Sequence, residues 1–462
     1  MSKKTKKTDQ IKKKAEEKPT KFELNLGILH PYSGGIDIGG RSIFVSYQGT
    51  DGILVVKEVD AFTGDLNLLS KELRLAGITN IAMEATGVYW MPVHEILSDA
   101  GINVSVVNPK HYKNVDAEKT DIKDCQWLHQ LHAHGLMRNS FIAQDINREL
   151  RSYIHERNNL QDNKSKVLNQ IHRTLTQLNI KVQHLVSDIE GVIGMQIIRR
   201  IANGIFDPKK ILEGLNISLL KASIEDLEKS LEGLYKQQYI IILCKHLEAY
   251  DFYKKQMLDF ELLIENVLKR MMPLDENQHK PVIEKKKKLI RKNQYHLNVK
   301  EYLIQINGVD LTAIDGIDEI CALQVLAVIG NDMSKWKSAQ HFSSWLNLAP
   351  RPKISGGKIL GYEKRFTKNP ATQALRMAAQ TMWQNKGILG SLYKRLSATK
   401  GSKKAIKAVA CRLAIIIYHM LKNKTEFDPN KVALDNDKIK ARKIARLKKE
   451  ATKLGLTVSV AA

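Results

Sequence analysis

Residues 34–59, "GGIDIGGRSIFVSYQGTDGILVVKEV", hold three short runs rich in β-branched residues, with turn formers between them. "GIDIG", "SIFVSYQ" and "GILVVKEV" have the length and composition of strands, and "GGR" and "GTDG" supply the reversals. Three such runs joined by short turns predict an antiparallel meander. One residue is out of character. Asp37 sits in the middle of the first run, where an acid is disfavoured.

Beyond the meander the periodicity changes. "LNLLSKELRLAGI" (66–78) predicts a helix leading into a fourth strand, "NIAMEAT" (80–86). "MPVHEILSDAG" (91–101) predicts a second helix leading into a fifth strand, "NVSVVNP" (103–109), and a third helix starts near Thr120. The order β-β-β-α-β-α-β-α is that of an α/β ribonuclease-H-like domain, bounded here at residues 31–146.

Fold alone does not give function, so the acids carry the argument. Glu84 closes the fourth run, and "KTDIKDCQWL" (119–128) places Asp121 and Asp124 on one face of the third helix start. In this fold the first and fourth strands are neighbours and the third helix packs against the same edge, so Asp37, Glu84, Asp121 and Asp124 can converge. Clustered carboxylates repel one another unless a cation neutralises them. An oxygen-only ligand set suits Mg2+ or Mn2+ rather than zinc. Two such ions, roughly 3.5 to 4 Å apart, stabilise the attacking and leaving oxygens of phosphodiester cleavage. The plainer reading makes Asp121 or Asp124 a helix cap or dipole partner, and Glu84 a cap for the segment after its strand. Lys119 and Lys123 flank the pair and either face phosphates or are solvated charge.

The rest of the chain divides by pattern. Residues 1–30 are a lysine-rich tail. Residues 147–307 read as a long helical, coiled-coil-like insertion, with Leu150, Ile154, Leu168, Ile171, Leu175 and Leu178 on one stripe and Ile224, Leu227, Leu231 and Leu234 on another. Arg157, Gln161 and Lys164 interrupt the first stripe, which favours an antiparallel arm whose polar seam is left for a partner chain or RNA. "EKKKKLIRK" (284–292) reads as a solvated basic face or a phosphate contact.

A mainly α unit spans 308–425, where the turn at Gly316 and the end at Gly330 suggest a helix-hairpin-helix able to offer backbone N–H groups to phosphates. In it lies "RPKISGGKILGYEKR" (351–365), a basic Gly-rich loop with Ser355 between Lys353 and Lys358. Glycine lets backbone approach a phosphate, lysines offset its charge, and a serine there can attack phosphorus. The plainer reading is a surface turn. Glu363 is the close acid and no histidine follows, so activation has to come from the acidic site. A basic tail occupies 426–462.

With 73 Lys+Arg against 49 Asp+Glu, the formal net charge of +24 makes nucleic acid the leading partner. Nothing resembles a membrane anchor or a secretory signal, and the apolar run "LAIIIY" is too short to span a bilayer. Four scattered cysteines without a CxxC pair argue against a zinc knuckle or a disulfide framework and for a reducing, cytoplasmic compartment.

The motifs together resemble the DEDD transposases of the insertion-sequence 110 family, the bridge-RNA-guided recombinases. "GIDIGGRSI", "MEATGVYW", "VNPKHYKN" and "KTDIKDCQWL" are similar to its successive acidic motifs, and the stretch from "IDGIDEICAL" to "PRPKISGGK" is similar to its transposase domain. The resemblance implies a RuvC-like domain whose metal-binding tetrad is Asp37, Glu84, Asp121 and Asp124. It also implies a C-terminal transposase domain with Ser355 as nucleophile, forming a covalent phosphoserine link to DNA. Lys368 and Arg376 would join Lys353 and Lys358 at the nucleic acid.

The partners it implies are donor and target DNA, a structured noncoding guide RNA that reads sequence by pairing, and further copies of the chain, a dimer assembling to a tetramer at the prokaryotic nucleoid. The chain departs from the family pattern at Cys125, where alanine is usual, and in "TKNPATQALR", which has Pro370 and lacks a glycine before the Leu-Arg pair. Two other readings compete. One is a metal-dependent, structure-specific endonuclease without a covalent intermediate, like a junction resolvase; the other is a non-catalytic nucleic-acid scaffold.

Overall fold

A computed structural model describes residues 27–108, 120–137, 139–217, 220, 222–274, 294–363 and 369–429, with scattered positions between 444 and 455. Lys119, Lys368, the 284–292 basic run and most of both tails lie outside the described residues. The chain forms two compact units, Met1–Ile142 and Ala143–Ala462.

Among the described residues, the first unit is a five-stranded sheet with three helices. Strands β1 (Ser33–Ile38), β2 (Ser42–Gln48) and β3 (Leu54–Asp60) form the expected antiparallel meander. Helix α1 (Thr63–Leu75), strand β4 (Asn80–Glu84), helix α2 (Trp90–Asp99), strand β5 (Asn103–Val107) and helix α3 (Asp121–Ala133) follow in that order. The sheet order is β3-β2-β1-β4-β5, with β4 parallel to both β1 and β5. This is consistent with a ribonuclease-H-like domain.

Side-chain alternation divides the sheet into two faces. Ile36, Ile38, Ile43, Val45, Ile81 and Met83 form one core with Leu66, Leu69 and Leu73 of α1 and Val93 and Leu97 of α2. The residues between them point the other way, and α3 lies on that second face. There Val107 packs on Leu128, and Ser46 Oγ lies 3.2 Å from His129 Nδ1.

In the second unit, α4 (Asp145–Gln177) is followed by α5 (Val192–Ala202), α6 (Pro208–Leu212), α7 (Ile224–Ser230) and α8 (Gln237–Met271). Helices α4 and α8 run antiparallel, as the pairs Glu149–Arg270, Arg157–Glu261 and Thr174–His246 show: partners descend α8 as they climb α4. Two expectations need correction. The stripe from Ile224 to Leu234 is not one helical face, since α7 ends at Ser230 and Ile224 and Leu234 are exposed. The polar seam of α4 is not left for a partner either. Arg157 is buried against Glu261 at 2.8 Å and Lys164 against Glu190 at 2.6 Å, because a buried cation is tolerated only when paired.

The C-terminal part holds α9 (Val299–Asn307), α10 (Glu319–Ile329), α11 (Ala339–Trp345), hairpin strands β6 (Pro352–Ser355) and β7 (Lys358–Tyr362), α12 (Pro370–Gln380), α13 (Ile388–Lys400) and α14 (Ser402–Asn423). The apolar face of α14 is its spine, and Tyr418 donates a 3.0 Å hydrogen bond to the Trp336 carbonyl. Asn147 at the start of α4 donates to the Leu326 carbonyl of α10, which ties the long helix to this core. The segment ahead of Gly316 is a single 3-10 turn, Leu311–Ala313, rather than the first helix of a tight hairpin. The N-terminus of α10 is capped from within, since Asp318 accepts from the Cys321 N–H at 2.8 Å.

Candidate functional site

The acidic site begins with a glycine. A Cβ on Gly35 would lie 2.4 Å from the His129 nitrogen and 2.5 Å from the Cys125 carbonyl oxygen, so only glycine lets α3 cross β1 this closely. Asp37, two residues on, points from the same face of the strand. It stands near the next stretch of α3 toward its N-terminus. Burial pushes the Cys125 thiol pKa up to about 11, and the charges of Asp37 and then Asp124 add to the shift.

Glu84 shares that face. The β1–β4 ladder pairs Ile36 with Met83, so Asp37 and Glu84 stand one residue past its last rung, at the carboxyl ends of adjacent parallel strands. Glu84 is buried and pairs across β5 with Val107, the residue that meets α3 through Leu128. Asp121 and Asp124 open α3, the first exposed and the second partly buried. Neither aspartate is the helix cap. Thr120 takes that role, its hydroxyl accepting from the Lys123 N–H at 3.3 Å, so the capping explanation for the two acids falls away.

Asp37 and Glu84 thus stand on one face of the sheet, at one end of it, and Asp121 and Asp124 open the helix that packs on that face. Their side chains are not drawn together: among the described residues no group of three or more His, Cys, Asp or Glu is gathered closely enough to hold a metal ion. The all-oxygen donor set is of the kind that suits a hard divalent cation.

Ser355 occupies a different setting. The Gly-rich loop is a β-hairpin, in which Ser355 ends β6 and pairs with Lys358 across Gly356 and Gly357. Both glycines have positive φ, 54° and 73°, as a two-residue primed turn demands. Ser355, Lys353 and Lys358 are exposed. Glu363 is at the other end of the hairpin, 3.3 Å from Arg351, on the order of 15 Å along the strand from the serine. No general base reaches Ser355 from there.

Arg376 is exposed on α12. That helix starts where the family departure lies: Asn369 accepts from the Thr372 N–H at 3.2 Å and Pro370 fills the first helical position. Lys123 is exposed on α3. Sequence reasoning missed Gly35 and its close approach to the backbone of Cys125 and His129. The signal was present in the glycine pair preceding Asp37, but its cause is a helix about ninety residues further on.

Two family models match parts of the chain. Residues 34–180 match the family model DEDD_Tnp_IS110, a transposase, and residues 310–394 match that of the transposase IS116/IS110/IS902 family. Together they cover about half of the chain, with the four acids inside the first match and Ser355 inside the second. No curated protein matches.

Proposed function

The chain belongs to the IS110 family of transposases, enzymes that act on DNA, and from that premise we propose that it is a metal-dependent, RNA-guided DNA recombinase with a serine nucleophile. The observation that supports the reading is the close crossing of β1 and α3, which carry Asp37 and the pair Asp121 and Asp124, beside the β4 end that carries Glu84. Those four side chains would hold Mg2+ or Mn2+. The bound cation supplies charge neutralisation at a phosphodiester.

Ser355, at the tip of an exposed hairpin, is free to reach into a DNA backbone. Its Oγ–P bond forms as one P–O bond of the DNA breaks, and the released sugar hydroxyl later reverses the step on an exchanged strand. Lys353 and Lys358 offset phosphate charge beside it. Arg376 and Lys123 bind backbone, and the surplus of +24 serves both DNA and a structured guide RNA. Residues 31–146 act as the nuclease-like domain, 308–425 as the transposase domain and 147–307 as the helical insertion, in a dimer that assembles to a tetramer.

The test is Ser355→Ala in the full chain with its guide RNA, Mg2+ and both DNAs. Covalent protein–DNA adduct and recombination are expected to vanish while RNA binding persists. Recombination by that variant would remove the serine step from the mechanism. Mg2+-dependent cleavage without adduct, still abolished by Asp37→Asn, would point instead to the metal-only endonuclease.

A further inference from the structure

The loop that follows Glu84 carries an aromatic ring to the acidic end of the sheet. Since β1 and β4 are parallel, the Gly39–Arg41 turn and the Ala85–Tyr89 loop leave the sheet at the same end, the end bearing Asp37 and Glu84. Tyr89 closes the distance between them. A Cβ on Gly40 would lie 3.9 Å from the Tyr89 Cζ, and one on Gly87 would lie 3.6 Å from its Cδ2. The ring therefore rests against two glycines, one of which, Gly87, holds a positive φ of 53°.

The loop is held by backbone hydrogen bonds, Ala85 N–H to Val107, Thr86 N–H to Glu84 and Tyr89 N–H to Thr86. Yet Tyr89 is 52% exposed and Val88 65%. A fixed loop that presents a large ring to solvent gains nothing in core packing from it. Two exposed basic residues lie on elements that adjoin this end, Arg41 in the neighbouring turn and Lys123 in the first turn of α3. An aromatic face interleaved with cations is what a nucleobase and its phosphate recognise.

We propose that Tyr89 is a positioning residue for DNA, its ring stacking on a nucleobase next to the phosphodiester that the carboxylates receive. The inference rests on the reading of the acidic site as the place where DNA reacts. Stacking fixes the sugar-phosphate on one side of the target bond and so sets which phosphate lies over Asp37 and Glu84. The hydroxyl takes no part, which separates this role from that of a tyrosine nucleophile.

The experiment uses the full chain with guide RNA and DNA carrying 2-aminopurine or an abasic site, one position at a time, within two nucleotides of the cleaved bond. Anisotropy without Mg2+ measures binding, and Mg2+ then starts cleavage. Tyr89→Ala should weaken binding about tenfold and remove a position-specific quench of 2-aminopurine, while Tyr89→Phe and Tyr89→Trp stay within about twofold of the parent. One abasic position should weaken the parent as much as Tyr89→Ala does, and should have no further effect on that variant.

Equal losses in Tyr89→Phe and Tyr89→Ala would overturn the proposal, as would additive losses at every abasic position. Failure of the site reading looks different: the parent would not cleave with Mg2+, or Asp37→Asn would cleave as the parent does, whatever Tyr89 did in binding.

Discussion

At the scale of a residue, His132 shows how closely the site helix is seated. It is 5% exposed on α3, its ring stacks on His30 with centroids 4.9 Å apart, and its Nε2 is buried without a hydrogen-bond partner among the described residues. Burial, and then the neighbouring His30 and His129, push its pKa down to about 4. The folded state therefore resists a proton that the unfolded state accepts below about 6.5. Stability from this residue is complete above that pH and is lost as pH falls toward 4. The swing is on the order of 3 kcal/mol over the full range. Between pH 6.5 and 5 few carboxylates titrate, so the window isolates the histidines. Hydrogen-exchange protection of the β1 and α3 amides should fall across it, and His132→Leu should flatten the fall. A slope unchanged by His132→Leu would mean that the ring is hydrated in solution.

At the scale of elements, the α4–α8 pair depends on a buried ionic cluster. Glu261 accepts from Arg157 Nη2 at 2.8 Å and Nε at 3.1 Å, and its other oxygen receives the His296 N–H at 2.8 Å. The Arg157 guanidinium also lies 4.2 Å from the centre of the Tyr295 ring. Removing one partner of such a pair strands the other, at a cost of about 3–5 kcal/mol, whereas replacing both with apolar groups is close to neutral. Glu261→Leu should thus lower the urea midpoint sharply, and Arg157→Met combined with Glu261→Leu should recover most of it. Additive losses in the double variant would show that the two charges do not depend on each other.

The same cluster marks what the sequence could tell. Its apolar spacing disclosed long helices and an antiparallel return, since Leu150, Ile154, Ile171 and Leu175 are buried. It could not disclose that Arg157 and Lys164 are paired, because their partners, Glu261 and Glu190, are remote in the chain and lie in no pattern with them. The strands were legible because alternation and turn glycines are local. The hairpin around Ser355 was only half legible: its turn residues were plain, but exposed Ile354 and Ile359 gave no alternation that separates strand from loop.

At the scale of the whole molecule, two electrostatic features oppose each other. The surplus of +24 draws DNA in, while in the proposed site Asp37, Glu84, Asp121 and Asp124 would present like charge to the phosphate that is to react. A divalent cation reverses the second feature locally without altering the first. The sign of a charge-removing substitution should therefore depend on metal. With chelator present, Asp121→Asn should bind DNA about two- to fivefold more tightly than the parent, the scale of one unit charge several ångströms from a phosphate in a wet site. With Mg2+ it should bind no better than the parent and should not cleave. The slope of log K against log[salt] should be the same for both proteins, since it counts lysine and arginine contacts that the substitution leaves alone. Anisotropy titrations at several salt concentrations, with and without Mg2+, measure all three. If Asp121→Asn bound no more tightly in chelator, Asp121 would lie away from the phosphate and the tetrad would lose its third member.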